Sequence, residues 1–444
     1  MNAPIKFRTG HDLLDQFDRN RRRMHALYAT LPDEAYFGRP IPLRNPLVFY
    51  EGHVPAFSHA HLVRQALGGP PIDEALERLF ERGIDPHEAS SDVKARGNEA
   101  DEWPDRTTVM AFRDEADRRV RAAIEEVLSE PAGPQEVVHR ILEHETMHHE
   151  TLMYLWHALP HEHKRAPQGY APKVGGAPPV QEMVEVAAGR AVLGATPGEL
   201  PFVWDNELPA HAEDVPAFRI QRHKVTNAEF LGFVEAGGYG DERWWLPEDR
   251  AWLREKGVTQ PHFWQRDGQS WSWRGMFGML PLPLAWPVWV THAEACAYAR
   301  WRGMALPTEA QYQRAALGDP GGPQRRYPWG DEAPQARHGA FGFEGYDPEP
   351  IGSHPDGASA WGIEDLVGNG WEWTSTPFAP FPGFVPMPEY PEYSADFFDG
   401  QHYVMKGASP ATVAELIRPS FRNWFRPRYP YVFASFRCVE GSGR

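Results

Sequence analysis

The sequence predicts an α + (α+β) chain in two parts, a four-helix bundle followed by an irregular α+β domain. Three observations lead there. From residue 11 to about 165, four segments repeat apolar residues every three or four positions, the spacing of one helix face. The stretch RAPQGYAPKVGGAPPVQ is then rich in Pro and Gly and poor in large apolar side chains, which marks a linker. Beyond it the pattern breaks into short strand-like pieces and many turns. The expected organisation is therefore a bundle over 1–165, a linker over 166–182 and a second domain over 183–444.

The first helical segment is DLLDQFDRNRRRMHALYATL, with Leu13, Leu14, Phe17, Met24, Leu27 and Leu31 at helical spacing. The second is NPLVFYEGHVPAFSHAHLVRQAL. The third, TTVMAFRDEADRRVRAAIEEVLSE, carries Met110, Val120, Ala123, Ile124 and Val127 and is closed by Pro131 and Gly133. The fourth, PQEVVHRILEHETMHHETLMYLWHAL, opens on Pro134, which suits a first turn. In the second domain EMVEVAAGRAVLG, FRIQRHKVT, HYVMKGAS and VFASFRCV read as strands and THAEACAYARWRG as a short helix.

Composition narrows the function. A formal charge of −16 argues against a phosphate-backbone binder, because nucleic-acid affinity rests on Lys and Arg. No apolar run approaches the roughly 20 residues of a membrane span, and the N-terminus lacks an export signal, so no membrane association and a cytoplasmic location are expected. The two cysteines, Cys296 and Cys438, are too few for a disulfide framework and read as packed core residues. The 17 Trp and 44 Pro, concentrated after residue 200, point to ordered loops packed by aromatic rings. Small-molecule substrates fit this balance best.

His144-Glu145-Thr146-Met147-His148 is an H-E-x-x-H match inside the fourth helix, placing two imidazoles one turn apart on one face. His53, on the second helix, can supply a third ligand, since bundles build metal sites from inward-facing side chains of different helices. Three neutral imidazoles suit zinc, iron or copper, and spacing alone does not choose among them. A zinc-protease reading with Glu145 as base lacks a third ligand downstream. Glu145 and Glu150 read instead as structural carboxylates, or as ones able to orient imidazole N–H groups.

With these motifs in view, the chain resembles the iron-dependent sulfoxide synthases of ergothioneine and ovothiol biosynthesis. The resemblance covers nearly the whole chain. Its first part matches their DinB-like four-helix bundle, with a histidine after an N-P-L and G-H segment and an H-E-x-x-H-x-E motif ending at Glu150. Its second part resembles the formylglycine-generating-enzyme fold, related to C-type lectins, through FVWDNELP, VTNAEFLGFVEAGGY, ALPTEAQYQRAAL, YPWGD and GNGWEWT. The resemblance implies Fe(2+) on His53, His144 and His148 where the two domains meet, O2 as cosubstrate, and hercynine as the acceptor. It also implies that Asn423 and Trp424 of SFRNWF line the hercynine pocket.

Departures from the family bear on the donor. Where enzymes that use γ-glutamylcysteine carry tyrosines, one of them a proton donor, this chain has Phe378 and Phe381 in WEWTSTPFAPF. The acidic residue after N-W is Phe425, the expected arginine is Tyr429 beside Arg426 and Arg428, and an expected Gln is Met147. A zwitterionic donor needs charge partners, and several are missing. The selenoneine synthase branch of the family, which joins selenium from a selenosugar to hercynine through a selenoxide, fits these losses, with Phe378 and Phe425 added to Asn423 and Trp424 as expected substrate contacts. Two alternatives stand beside it: an ergothioneine-type enzyme with another thiol donor, and a catalytically inactive binding module on the same fold. Tyr50, His59, His149 and Arg428 are conceivable replacements for the proton donor.

Overall fold

A computed structural model describes residues 10–81, 103–130 and 133–440. Residues 1–9 and Pro131, on which the N-terminal and third-helix readings partly rested, lie outside them. The chain divides into two compact units, Met1–Tyr170 and Ala171–Arg444.

The first unit is helical. Helix α1 (Gly10–Ala29) turns Leu13, Phe17, Met24 and Leu27 inward. Helix α2 (Leu47–Ser58) is buried at all of its positions, so it is the central rod of the bundle and not an amphipathic wall. The sequence predicts one helix through Leu67, but from His59 to Ala66 the backbone adopts π geometry, with the amide of Leu67 on the carbonyl of Leu62 at 3.2 Å. Pro55 sits inside α2 and removes one α-helical hydrogen bond just before the change.

A short helix unforeseen in the sequence follows: α3 (Glu74–Phe80), started by the Asp73 carboxylate, which accepts the amides of Ala75 and Leu76 at 2.8 and 3.0 Å. Helix α4 (Arg106–Ser129) is capped in the same way by Asp105 and buries Val109, Phe112, Ala116, Val120, Ala123, Ile124 and Val127. Met110, counted in the apolar stripe, is 37% exposed, because Val109 and Phe112 hold the inward register. Helix α5 (Gln135–Ala158) completes the bundle.

Buried charges tie these helices together. The Arg21 guanidinium reaches Asp117 at 2.9 Å, Glu145 at 3.0 Å and the Ser58 hydroxyl at 3.1 Å, joining α1, α2, α4 and α5. Arg21→Ala leaves the buried Glu145 and the partly buried Asp117 without their cation, so we expect a loss of about 3 kcal/mol in urea unfolding.

In the second unit the strands are short: β1 (Met183–Val186), β2 (Gly189–Leu193), β3 (His211–Val215), β4 (Phe218–Gln221), and a meander β5 (Trp264–Asp267), β6 (Ser270–Arg274), β7 (Met279–Pro281). Then come β8 (Met304–Ala305), β9 (Trp371–Pro377), β10 (Tyr403–Lys406), β11 (Asn423–Phe425), β12 (Ala434–Ser435) and β13 (Val439–Glu440). They form sheets in the orders β1-β4-β13-β8, β11-β10-β9-β12, β2-β3 and β5-β6-β7.

Helices α6 (Asn227–Glu235), α8 (His292–Trp301) and α9 (Glu309–Leu317) each begin on a capping box, Thr226 with Glu229, Thr291 with Glu294, and Thr308 with Gln311. Between α6 and α8 lies α7 (Pro247–Lys256), closed by Gly257 in the left-handed region. The first sheet packs on α9 through Val186, Ile220, Tyr312, Ala315, Leu366 and Val439. Tryptophan fills much of the remaining interior: Trp273, Trp286 and Trp289 are 0% exposed, and Trp289 stacks on Phe433 at 4.4 Å.

Two histidines of this unit are buried in the neutral form: burial holds His292 down to about 3 and His223 to about 4. Unfolded imidazoles titrate near 6.5, so below that pH the unfolded chain binds the extra protons. Stability is then complete above pH 6.5 and falls toward pH 4, by about 1.4 kcal/mol per pH unit for each such histidine. Urea midpoints at pH 7 and pH 5 check this, the lower pH giving the lower midpoint.

Candidate metal centre and the aromatic strand

Helix α2 supplies His53, and α5 supplies His144 and His148 four residues apart. Their Nε2 atoms converge, His53 to His148 at 3.2 Å and His148 to His144 at 3.1 Å. His53 and His144 are 1% and 3% exposed, while His148 is half-buried. Among the described residues this is the group able to place histidine ligand atoms within 4.8 Å of one another.

The protonation state follows from the surroundings. Nδ1 of His53 lies 2.7 Å from the carbonyl oxygen of Phe80. A carbonyl only accepts, so Nδ1 carries the proton and Nε2 presents a lone pair. Burial holds the His53 imidazole down to about 4. His144 and His148 are pushed well below the ordinary range, first by burial and then by the neighbouring imidazoles. Three neutral rings whose lone pairs converge repel one another unless a cation lies between them, and this donor set fits a divalent transition metal.

The rings are held from behind. Phe49 stacks on His53 at 4.9 Å and 16°, and Phe57 on His144 at 3.5 Å and 9°. Phe57 also meets His61, tilted, at 4.0 Å. Tyr50 lies tilted beside His148 at 5.7 Å.

Both carboxylates have partners within the bundle. Glu145 bonds Arg21 at 3.0 Å and lies 3.4 Å from His149, so it anchors the bundle and is not placed as a protease base. Glu150 accepts from the Tyr154 hydroxyl at 2.5 Å. Of the other conceivable proton carriers, His59 sits 3.5 Å from Glu77 and Arg428 pairs with Asp249 at 2.9 Å.

In the second unit, Asn423, Trp424 and Phe425 form β11, an edge strand paired through Val404 to Trp424. Alternation along a strand sends Trp424 to one face and Asn423 and Phe425 to the other. Trp424 is half-buried and stacks on Phe378 at 4.2 Å and 6°, with Tyr393 edge-on and Phe397 tilted, each at 5.6 Å. Phe378 is 1% exposed, with the Arg422 guanidinium 4.9 Å from its ring centre, so it backs the tryptophan. Phe381 takes the same guanidinium at 4.1 Å. Phe425 stacks on Tyr429 at 5.0 Å, which meets Tyr431 at 5.2 Å. Asn423 Oδ1 accepts the amide of Trp424 at 2.8 Å.

Phe49 and Phe57 flank His53 in the sequence, four residues on either side, so helical spacing places them beside it. Sequence reasoning missed others. The Phe80 carbonyl has no such signal. Tyr393 and Phe397 lie in a loop whose return to β11 no local pattern announces.

A helical unit with a tri-histidine cluster, followed by a unit of short sheets and capped helices, defines a two-module protein whose parts are both recognisable. Residues 16–152 match the DinB superfamily, and residues 171–441 match the sulfatase-modifying factor enzyme 1-like domain, the family to which the chain belongs. The hercynine oxygenase of Mycolicibacterium thermoresistibile is 46% identical over 255 residues, 56% of this chain and 56% of that protein. Ergothioneine biosynthesis protein 1 of Neurospora crassa is 26% identical over 94% of this chain and 57% of its own length. The chain thus spans little more than half the length of these relatives. The formylglycine-generating enzyme of Mycobacterium tuberculosis is 32% identical over 45% of this chain and 75% of its own. Among the described residues, no helix is long and apolar enough to cross a membrane.

Proposed function

We propose that this chain is an iron-dependent oxygenase that attaches a chalcogen to the imidazole ring of hercynine, and that the chalcogen is selenium carried by a selenosugar. The observation that carries the reading is the convergence of three neutral imidazoles, on His53, His144 and His148, in a chain whose relatives include a hercynine oxygenase. Ferrous iron held there supplies the binding and reduction of dioxygen. The overall reaction balances: the ring C–H, the selenol R–SeH and O2 give the selenoxide and water. Both hydrogens leave in the water, and dioxygen takes the electrons released in forming the C–Se bond and oxidising selenium.

The chain's own residues bind and orient. A trimethylammonium group has no hydrogen to donate, so aromatic faces hold it, and Trp424, backed by Phe378, offers one while Asn423 and Phe425 offer contacts on the other face of β11. The cations near β11 already have partners: Arg428 pairs with Asp249, and Arg426 reaches Gln401 at 3.4 Å and Asp399 at 3.9 Å. A neutral sugar suits such a surface better than a zwitterionic peptide. The names of the relatives favour the second reading, a thiol donor as in ergothioneine synthesis.

Purified iron-loaded protein given hercynine with either a selenosugar or γ-glutamylcysteine separates the two by product mass. We expect the selenium adduct; turnover with the thiol peptide alone would sink the selenium reading.

A further inference from the structure

The three ligands are not held alike. Nδ1 of His144 and of His148 has no hydrogen-bond partner among the described residues, whereas Nδ1 of His53 is bonded to the Phe80 carbonyl at 2.7 Å. That carbonyl closes α3, at the helix end where intrahelical donors have run out. The Phe80 ring is 0% exposed and packed among Phe49, Trp103 and Phe112. Directly opposite is Gly52, the residue before His53: a Cβ there would lie 2.5 Å from the far edge of the Phe80 ring. The ring is enclosed, so a methyl at 52 displaces it, and with it the carbonyl.

We infer that Phe80 and Gly52 are positioning residues for the metal: α3 fixes the tautomer and direction of His53 through the Phe80 carbonyl, and the absent side chain at Gly52 lets α3 approach closely enough to do so. This rests on the tri-histidine reading above. Outer partners of this kind typically set metal affinity by about 10–100-fold. A fixed Nδ1–H leaves one strong donor already aimed before metal arrives, and His144 and His148 complete the set.

The test uses cobalt(II) as the probe, in the full chain. Gly52→Ala is expected to lower cobalt affinity by about 10–100-fold and to change the visible ligand-field band, with helical content retained. Adding Phe80→Leu, which shortens the ring that the methyl meets, restores most of both. Affinity and band unchanged in a folded Gly52→Ala protein would overturn the inference, as would a failed restoration in a folded double variant. Should Gly52→Ala not fold, ring proton–nitrogen spectra of the unaltered chain decide. A protected Nδ1–H resonance that disappears in His53→Gln supports the inference, and an Nε2–H tautomer at His53 overturns it. Cobalt failing to bind the unaltered chain at all would instead remove the metal reading, a separate result.

Discussion

His148→Ala is expected to abolish stoichiometric metal binding and to lower turnover by more than the roughly 10–100-fold that an outer partner costs. Two ligands remain in that variant, His53 and His144, both nearly fully buried, and His148 is the half-buried member whose Nε2 contacts each of the others. Its removal leaves a divalent ion two imidazoles and, among the described residues, no third His, Cys, Asp or Glu grouped with them. The change is also gentle on the fold, since the His148 ring meets Tyr50 only at a tilt and no hydrogen bond to its Nδ1 is broken. Iron content by elemental analysis, with thermal unfolding of the metal-free protein as control, gives the answer. A folded His148→Ala protein that keeps one iron per chain contradicts the account.

The second large effect is expected at Trp424. The indole face is stacked on Phe378 and flanked by Tyr393 and Phe397, so the ring is rigid before any ligand arrives. A desolvated cation over such a face is worth about 2 kcal/mol, which corresponds to about 30-fold in affinity. Trp424→Ala should therefore weaken hercynine binding by about that factor, while Trp424→Phe, which keeps an aromatic face, loses much less. Iron content should not move in either variant. Calorimetric titration with hercynine checks both; equal binding by the alanine variant and the unaltered chain would remove Trp424 from the site.

The helical periodicity of Leu13, Phe17, Met24 and Leu27 made α1 legible, and the i, i+4 spacing on α5 announced two of the three clustered histidines. His53 was legible only by combining the bundle with that pair. The rest was hidden for physical reasons. The π stretch after Ser58 follows from how a buried chain continues past Pro55, and period alone reads it as ordinary helix. Helix α3 is seven residues long and owes its start to one carboxylate, Asp73, so it offers too few turns for a periodic signal. Its contribution to the site is a main-chain carbonyl, which every residue has and no sequence pattern marks. Phe378 shows the opposite case. Read as a letter, it is a tyrosine that has lost a hydroxyl; in the fold, its ring stacks on Trp424, has the Arg422 guanidinium 4.9 Å from its centre, and supports a neighbour's position.

Glu145 carries a similar lesson. The H-E-x-x-H spacing invites a role beside a metal, yet the residue after a ligand on a helix points about 100° away from it. There it meets Arg21, whose guanidinium also holds Asp117 and Ser58. The carboxylate belongs to the frame that keeps α5 in place.

The most direct test of the central claim is an anaerobic titration of the metal-free chain with ferrous iron, followed by hercynine, read by the electronic spectrum of the bound ion. One iron per chain is expected, with a spectrum that shifts when hercynine is added, and loss of both in a His144→Ala protein that remains folded. Iron bound in the same amount without His144, or an iron spectrum indifferent to hercynine, would contradict the claim.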